Sequence, residues 1–420
     1  MAKNTKAGFV NHMLGRRCVK RTLRCAHIRG DGSGLYSGPV KTSTDRILTT
    51  HVGSLPRSAE VTEVVFARER EELRDALADA RTIAHGVAEI VRRQVAAGID
   101  VVSDGEMSKI SYATYIKDRI TGFSGDTQRE PGLDLIEFPR LLQKLAASGA
   151  TAKYRRPRCT AAIAVKSLEP VATDIDNLAH AVATTKPSEC FLNAASPGVI
   201  ALFQPNDFYP TQQDYLEAVG EAMRHEYESI VARGILLQID APDLGMGRHT
   251  MYKERSLEDY LSLAELHVEV LNHALRNVPA DRVRMHMCWG NYEGPHHHDV
   301  PMEDLLPIVV KAKPQALLFE AANPRHAHEW TVFRDRPIPQ DKILIPGVLS
   351  STTNYIEHPL LVAERLCRFA DLVGRERVIA GTDCGFSTFA GFGPVDPDIT
   401  FLKLAAMAEG ARIASARLWK

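Results

Sequence analysis

The chain has 420 residues, 45% hydrophobic and 25% charged, with a formal net charge of −1. That suffices for a large buried core and is the makeup of an ordinary soluble globular protein, neither disordered nor fibrous. The balanced charge argues against nucleic acid or a membrane surface as partner, and no apolar run approaches the ~20 residues of a spanning helix.

The near-zero charge conceals an asymmetry. Residues 1–40 hold eight of the 51 Lys/Arg but one of the 52 acids, so this leader carries +7 and the remainder −8. The leader lacks the apolar segment of a secretory signal. It reads as a flexible basic arm or a translated upstream start, with organelle targeting the third reading. The expected division is a basic extension over 1–44 and one folded domain over 45–420. Seven cysteines at irregular spacing point to a reducing, cytoplasmic setting, with any special cysteine a ligand or nucleophile. Cys18 and Cys25 fall in the leader, and Cys159, Cys190 and Cys367 read as core residues.

From Arg46 onward, β-branched runs alternate with amphipathic stretches. In chain order the strand candidates are ILTTHV (47–52), IDVVSD (99–104), TAAIAV (160–165), CFLNAA (190–195), ILLQID (235–240), VRMHMC (283–288), ALLFEA (316–321), KILIPG (342–347) and VIAGTD (378–383). Helices are expected over Ser58–Ala97, Gln212–Arg233, Leu257–Asn277, Met302–Lys311, His358–Val373 and Ile399–Ser415. Such alternation predicts parallel strands with crossover helices, and eight units close a single (β/α)₈ TIM barrel. Nine candidates are one too many, so at least one lies outside the barrel. Most candidates end in an ionisable or metal-binding residue: His51, Asp104 with Glu106, Asp240, His286 with Cys288, Glu320, and Asp383 with Cys384. The C-terminal strand ends of a barrel converge on one mouth, so the pattern predicts an enzyme.

His286 and Cys288, two apart on one strand, project to the same face. Glu320 ends an apolar strand, where a buried carboxylate is costly without a cation or donors. Cys384 precedes Gly385, where backbone can approach a ligand closely. His, Cys, Glu and Cys from successive strand ends form a donor set suited to tetrahedral Zn²⁺. Two thiolates and a carboxylate make the ion a poor Lewis acid for carbonyls. A substrate thiol that displaces the weakest ligand, Glu320, is instead deprotonated while staying nucleophilic. A closed structural zinc site is the plainer alternative, but it favours clustered knuckles over scattered strand ends.

The ordered set TTHVGSLPR (49–57), SDGE (103–106), LQIDAPDL (237–244), HMC (286–288), FEAA (319–322), PGV (346–348) and TDCGF (382–386) resembles the catalytic barrel of cobalamin-independent methionine synthase, over about residues 45–416. The resemblance implies zinc held by His286, Cys288, Glu320 and Cys384. It also implies homocysteine binding by Val52, Gly53 and Ser54, with Glu106 and Asp240 on the amino group. Two departures stand out. The chain has one barrel where the full family enzyme has two. Ser351, Thr352 and Thr353 occupy the stretch that carries the family's acid histidine, and His358 comes several residues too late. CWGNYEGPHHHD and EAANPRH are similar to a short single-barrel subgroup that includes epoxyalkane:coenzyme M transferase.

His296, His297 and His298 follow the His-x-Cys pair in a Gly-Pro loop. They form either a solvated loop or a lid whose His297 donates a proton to the leaving group; Thr352 is the other candidate donor. Arg57 and Arg325 stand just past strand-end motifs, where each can clamp a carboxylate or sulfonate, a surface salt bridge being the plainer role. Trp289, Tyr292, Phe386 and Phe389 flank the ligand candidates as pocket walls or as core. The expected activity is zinc-dependent alkylation of a small thiol, homocysteine-like, with an alkyl donor as second substrate. Thiol addition to an epoxide and a non-catalytic zinc-binding relative are the alternatives.

Overall fold

A strand covered on both faces must be apolar on both, and eight such runs carry this fold. The structure, a computed structural model, describes residues 35–36, 38–128, 130–147 and 155–420. Residues 1–34, with Cys18 and Cys25, lie outside the described residues. In chain order the strands are β1 (Leu48–Thr49), β2 (Val101–Ser103), β3 (Phe123–Ser124), β4 (Arg158–Cys159), β5 (Glu189–Ala195), β6 (Leu236–Asp240), β7 (Val283–Met287), β8 (Ala316–Phe319), β9 (Ile343–Pro346) and β10 (Ile379–Ala380). A parallel six-stranded sheet runs β2-β5-β6-β7-β8-β9, and β1 pairs in parallel with β10. Parallel bridges Leu344↔Val378 and Gly347↔Gly381 join β9 to β10. The Asp100 amide donates to the Thr49 carbonyl at 3.1 Å, joining β1 to β2. The circuit closes on eight parallel strands, as the TIM-barrel reading expects.

The ninth candidate, TAAIAV, is not a barrel strand. Residues 160–165 are largely exposed and mostly without regular structure, and only Val165 forms a bridge, to Ile120. They belong to an excursion between β2 and β5 in which β3 and β4 form a short antiparallel pair. The expected single helix Ser58–Ala97 is also two, Ala59–Glu69 and Ala76–Ala96. Glu71 turns left-handed (φ 56°) between them, and the Asp75 carboxylate caps the second by accepting from the Leu77 and Ala78 amides. A further helix, Glu169–Thr185, packs on Ala76–Ala96.

Inside the barrel, Leu48, Val101, Phe191, Leu236, Ala316, Leu318, Ile343, Ile345 and Ile379 form one apolar cluster. Val40 joins it, and its amide donates to the Asp281 carbonyl at 2.7 Å. Ser43 is fully buried against Val378. Val40 and Ser43, inside the expected extension 1–44, are thus packed on the barrel floor. Among the described residues no helix is long and apolar enough to cross a membrane, and the five cysteines are free. Cys159 and Cys190 are fully buried, while Cys367 is partly buried.

Candidate active site

Alternation along β7 sends Arg284, His286 and then Cys288 toward the barrel interior. Arg284 lies deepest, over the Phe191 ring (4.0 Å to the centroid), donating to Thr50 Oγ1 at 2.8 Å and the His51 carbonyl at 2.6 Å. Above it, His286 Nε2 lies 3.8 Å from Cys384 Sγ and 3.2 Å from the Asp383 carbonyl, while Nδ1 lies 3.6 Å from Asp240 Oδ1. One donor atom from each of His286, Cys288 and Cys384 falls within 4.8 Å of the others, and all three residues are buried. The Cys384 contact and the His286 charge pull the Cys288 thiol down to about 5. Burial would lower His286, but the Cys288 thiolate and Asp240 overrule it and raise it to about 10. Cys384, desolvated beside an anionic sulfur, is pushed well up. Two buried sulfurs and a buried imidazole are a donor set that fits zinc.

Glu320 stands outside that trio. Its Oε1 accepts from the Trp289 amide at 2.9 Å and its Oε2 from Asn323 Nδ2 at 2.9 Å. Burial and the Cys288 charge raise its pKa. Three of the four expected ligands are therefore assembled, with the fourth held on a neighbouring turn. Asp383 ties that turn to the Cys384 strand, its Oδ1 accepting from the Ala321 and Ala322 amides, both at 2.9 Å.

The other half of the site gathers on β1, β2 and β6. Gly53 has φ 141°, and a Cβ there would collide with the Asn193 amide, so glycine permits the close approach. Asn193 Nδ2 donates to the Val52 carbonyl at 2.9 Å and to Asp240 Oδ2 at 2.8 Å; Gln238 Nε2 reaches Asp240 Oδ1 at 2.9 Å. A Cβ on Gly385 would strike the Ser54 hydroxyl, and the Phe386 amide donates to the Ser54 carbonyl at 2.9 Å, so Ser54 is seated against the Cys384 loop. Gly105 (φ 67°) and Glu106 (φ 59°) make a left-handed turn, held by Asp104 Oδ1 accepting from the Glu106 amide at 2.9 Å. A left-handed glutamate is strained backbone of the kind that collects at functional sites. Burial, aided by the Asp240 charge and opposed by Lys109, raises the Glu106 carboxyl to about 7. Its Oε2 has no hydrogen-bond partner among the described residues.

One cavity of about 1010 Å³ is lined by Val52, Ser54, Glu106 and Asp240 together with His286, Cys288 and Cys384. Thr352, Tyr292 and Phe389 line it too, whereas His297 does not. His297 is exposed, its Nε2 2.8 Å from Glu137 Oε2 on the outer surface, so the proton-donating lid is not formed there. His358 is exposed and caps the helix Pro359–Val373, its Nδ1 accepting from the Leu360 amide. Arg57 has neither expected role. Its guanidinium donates to the carbonyls of Ser387, Glu106 and Lys109, and so pins the Glu106 turn. Arg325 is exposed. Phe386 is buried core. Asn193, Gln238 and Arg284 went unremarked in sequence. A polar side chain inside an otherwise apolar strand was the signal available for each.

The family model described as cobalamin-independent synthase, catalytic domain, matches residues 47–131. A methionine synthase of Saccharolobus solfataricus is 24% identical over 380 residues, covering 88% of this chain and 95% of its own. One from Sulfolobus acidocaldarius is 24% identical over 379 residues, covering 89% and 93%. Among solved structures, a B12-independent methionine synthase from a Shewanella species superposes with a TM-score of 0.64 at 17% identity, over 89% of this chain and 99% of that one. A protein from Listeria monocytogenes described as a putative vitamin-B12-independent methionine synthase gives 0.61 at 17% identity, over 88% and 98%. These structural likenesses bear out the barrel.

Proposed function

For this relative of the cobalamin-independent methionine synthases, we propose zinc-dependent alkylation of a small amino-acid thiol, as methyl transfer to a homocysteine-like acceptor. The observation that carries the reading is one cavity holding the His286, Cys288 and Cys384 donors together with the buried carboxyl groups of Glu106 and Asp240. Bound by those three residues, with Glu320 as the fourth candidate donor, zinc would supply a Lewis acid that lowers the pKa of a substrate thiol while anionic ligands keep the sulfur nucleophilic. The carboxyl groups of Glu106 and Asp240 hold the substrate ammonium by hydrogen bonds that strengthen with charge. Ser54 and the backbone of Val52 and Gly53 grip the carboxylate end. Asp240 also faces His286 Nδ1 and fixes the ring so that Nε2 points at the sulfurs. Thr352, on the cavity wall, is the proton donor offered to the leaving group once His297 is set aside.

The epoxide reading with a sulfonate thiol can draw on Lys144 and Arg156 in the cavity lining, but is weaker beside the metal donors, where Asp240, 3.6 Å from His286 Nδ1, would repel a sulfonate. The deciding experiment follows thiol consumption by zinc-loaded protein, with homocysteine and coenzyme M each tested against methyl donors and epoxides. Methylation of homocysteine supports the proposal. Alkylation of coenzyme M alone overturns it in favour of the epoxide reading, and no alkylation with any pair leaves a non-catalytic zinc protein.

A further inference from the structure

Behind Trp289, away from the sulfur cluster, three imidazoles converge on one carboxylate. His249 lies on the helix Asp243–Thr250, His296 and Asp299 follow β7, and His326 follows β8. All four are buried, His249 completely. Asp299 Oδ2 is 2.8 Å from His296 Nδ1 and 2.9 Å from His326 Nε2, and Asp299 Oδ1 is 3.2 Å from His249 Nδ1. One face of the His326 ring is covered by Trp289, stacked at 3.7 Å and 13°.

The outer nitrogens show which way the rings are turned. His296 Nε2 faces the Tyr292 carbonyl at 3.1 Å, and His326 Nδ1 faces Glu329 Oε2 at 2.9 Å. Both partners can only accept, so each outer nitrogen carries its proton. The inner nitrogens then turn toward Asp299 either with a second proton each or with lone pairs around a cation. Two protons and one divalent ion bring the same charge, and either neutralises Asp299 and Glu329. Histidines whose outer N–H is held by a carbonyl or carboxylate are the usual pattern around metals. The clustering of the donor atoms favours the cation: one each from His296, Asp299 and His326 falls within 4.8 Å of the others, and all three residues are buried. Asp299 Oδ1 is buried and makes no hydrogen bond among the described residues, and the ring it faces is that of His249. Its 3.2 Å from His249 Nδ1 is close to the roughly 3.3 Å edge of a tetrahedron with 2.0–2.1 Å metal–ligand bonds, and the 2.8 and 2.9 Å separations of Oδ2 from His296 and His326 would open by a few tenths of an ångström around an ion.

We propose that His249, His296, Asp299 and His326 form a second divalent-cation site, free of sulfur and separate from the His286, Cys288 and Cys384 cluster. Three imidazoles and a carboxylate suit zinc, cobalt or nickel over calcium or magnesium. Its role is structural: it staples the helix Asp243–Thr250, the segment after β7 and the turn after β8, which carry Met246, Tyr292 and Glu320 at the mouth. It supplies no step of the alkylation.

The test is titration of metal-free full-length protein with Co²⁺, read by optical absorption and by metal analysis after gel filtration. Two equivalents are expected, one with sulfur-to-cobalt charge-transfer bands and one with ligand-field bands alone. Asp299→Asn and the double variant His296→Gln/His326→Gln should each bind one equivalent, with the charge-transfer bands intact. Cys288→Ser/Cys384→Ser should bind one equivalent without them. Binding by the unmodified protein, at saturating Co²⁺, of a single equivalent that shows the sulfur-to-cobalt bands overturns the proposal, as do two equivalents unchanged in both histidine-cluster variants. The stoichiometry of the unmodified protein decides even where a variant fails to fold. Loss of the charge-transfer bands alone would count against the thiol-alkylation reading and leave this one standing.

Discussion

At the floor of the barrel, polar side chains close on backbone carbonyls. Lys342 Nζ reaches the Ala312 and Pro314 carbonyls, Arg282 those of Gly38 and Gly234, and Ser43 Oγ that of Val378. At the mouth of the same strands, Glu106, Asn193, Gln238 and Asp383 each keep one buried oxygen without a hydrogen bond among the described residues. A buried oxygen left unmade costs about 1–3 kcal/mol. The floor therefore contributes stability, and the mouth gives some up for groups ready to meet a ligand. A barrel separates the two by sending the C-terminal strand ends to one side only.

Variants can break that comparison from either end. The largest effect is expected at the mouth. Cys288→Ser or Cys384→Ser should remove the sulfur-ligated metal, by metal analysis, and lower activity by more than ~10²-fold, because even partners outside the ligand shell of a metal typically cost 10–100-fold.

Glu106→Gln is next. Loss of a charge-assisted hydrogen bond of about 1.5–3 kcal/mol should raise the KM for the amino-acid thiol roughly 10–100-fold. Glu106 titrates near 7 in the folded chain against 4.5 for an ordinary glutamate, so the fold binds its proton more tightly. Its contribution to stability is present at low pH and is lost as pH rises from about 4.5 through 7. Thiol binding runs the opposite way, improving as the carboxylate ionises. A KM that falls from pH 6 to 8 in the unmodified protein and stays flat in Glu106→Gln is the expected pair of profiles. Parallel profiles would remove Glu106 from the ammonium site.

At the floor, Val40→Ala should cost about 1–3 kcal/mol in denaturant unfolding while leaving kcat and KM unchanged. A change in KM there would show that the two ends are not independent. The smallest effect is expected on removing residues 1–34, with metal content and activity unchanged. Trimming through Lys41 is different, because it removes Val40 and should lower stability as the point variant does.

Much of the barrel was legible because its code is local. Eight of nine strand candidates became barrel strands, since each belongs to a strand–helix alternation whose crossover helices cover it. TAAIAV looked the same, but its small residues left it largely exposed on an excursion, and periodicity does not report what covers a strand. The break inside Ser58–Ala97 was readable in principle, because Asp75 followed by Leu77 and Ala78 is a capping pattern. Charge pairs along that stretch masked it.

The site divides along the same line. Spacing by itself determined that His286 and Cys288 share a face, because side chains two apart on a strand must. The chain order of strand ends also determined that Cys384, Glu106 and Asp240 would arrive at the same mouth. Only the tertiary structure decided that Glu320 is held by Trp289 and Asn323 outside the trio, that His297 turns outward to Glu137, and that His249, His296 and His326 converge on Asp299. Those outcomes depend on loops joined through separate strands, whose side-chain directions are set by barrel closure and by competing hydrogen-bond partners, not by any spacing along the chain.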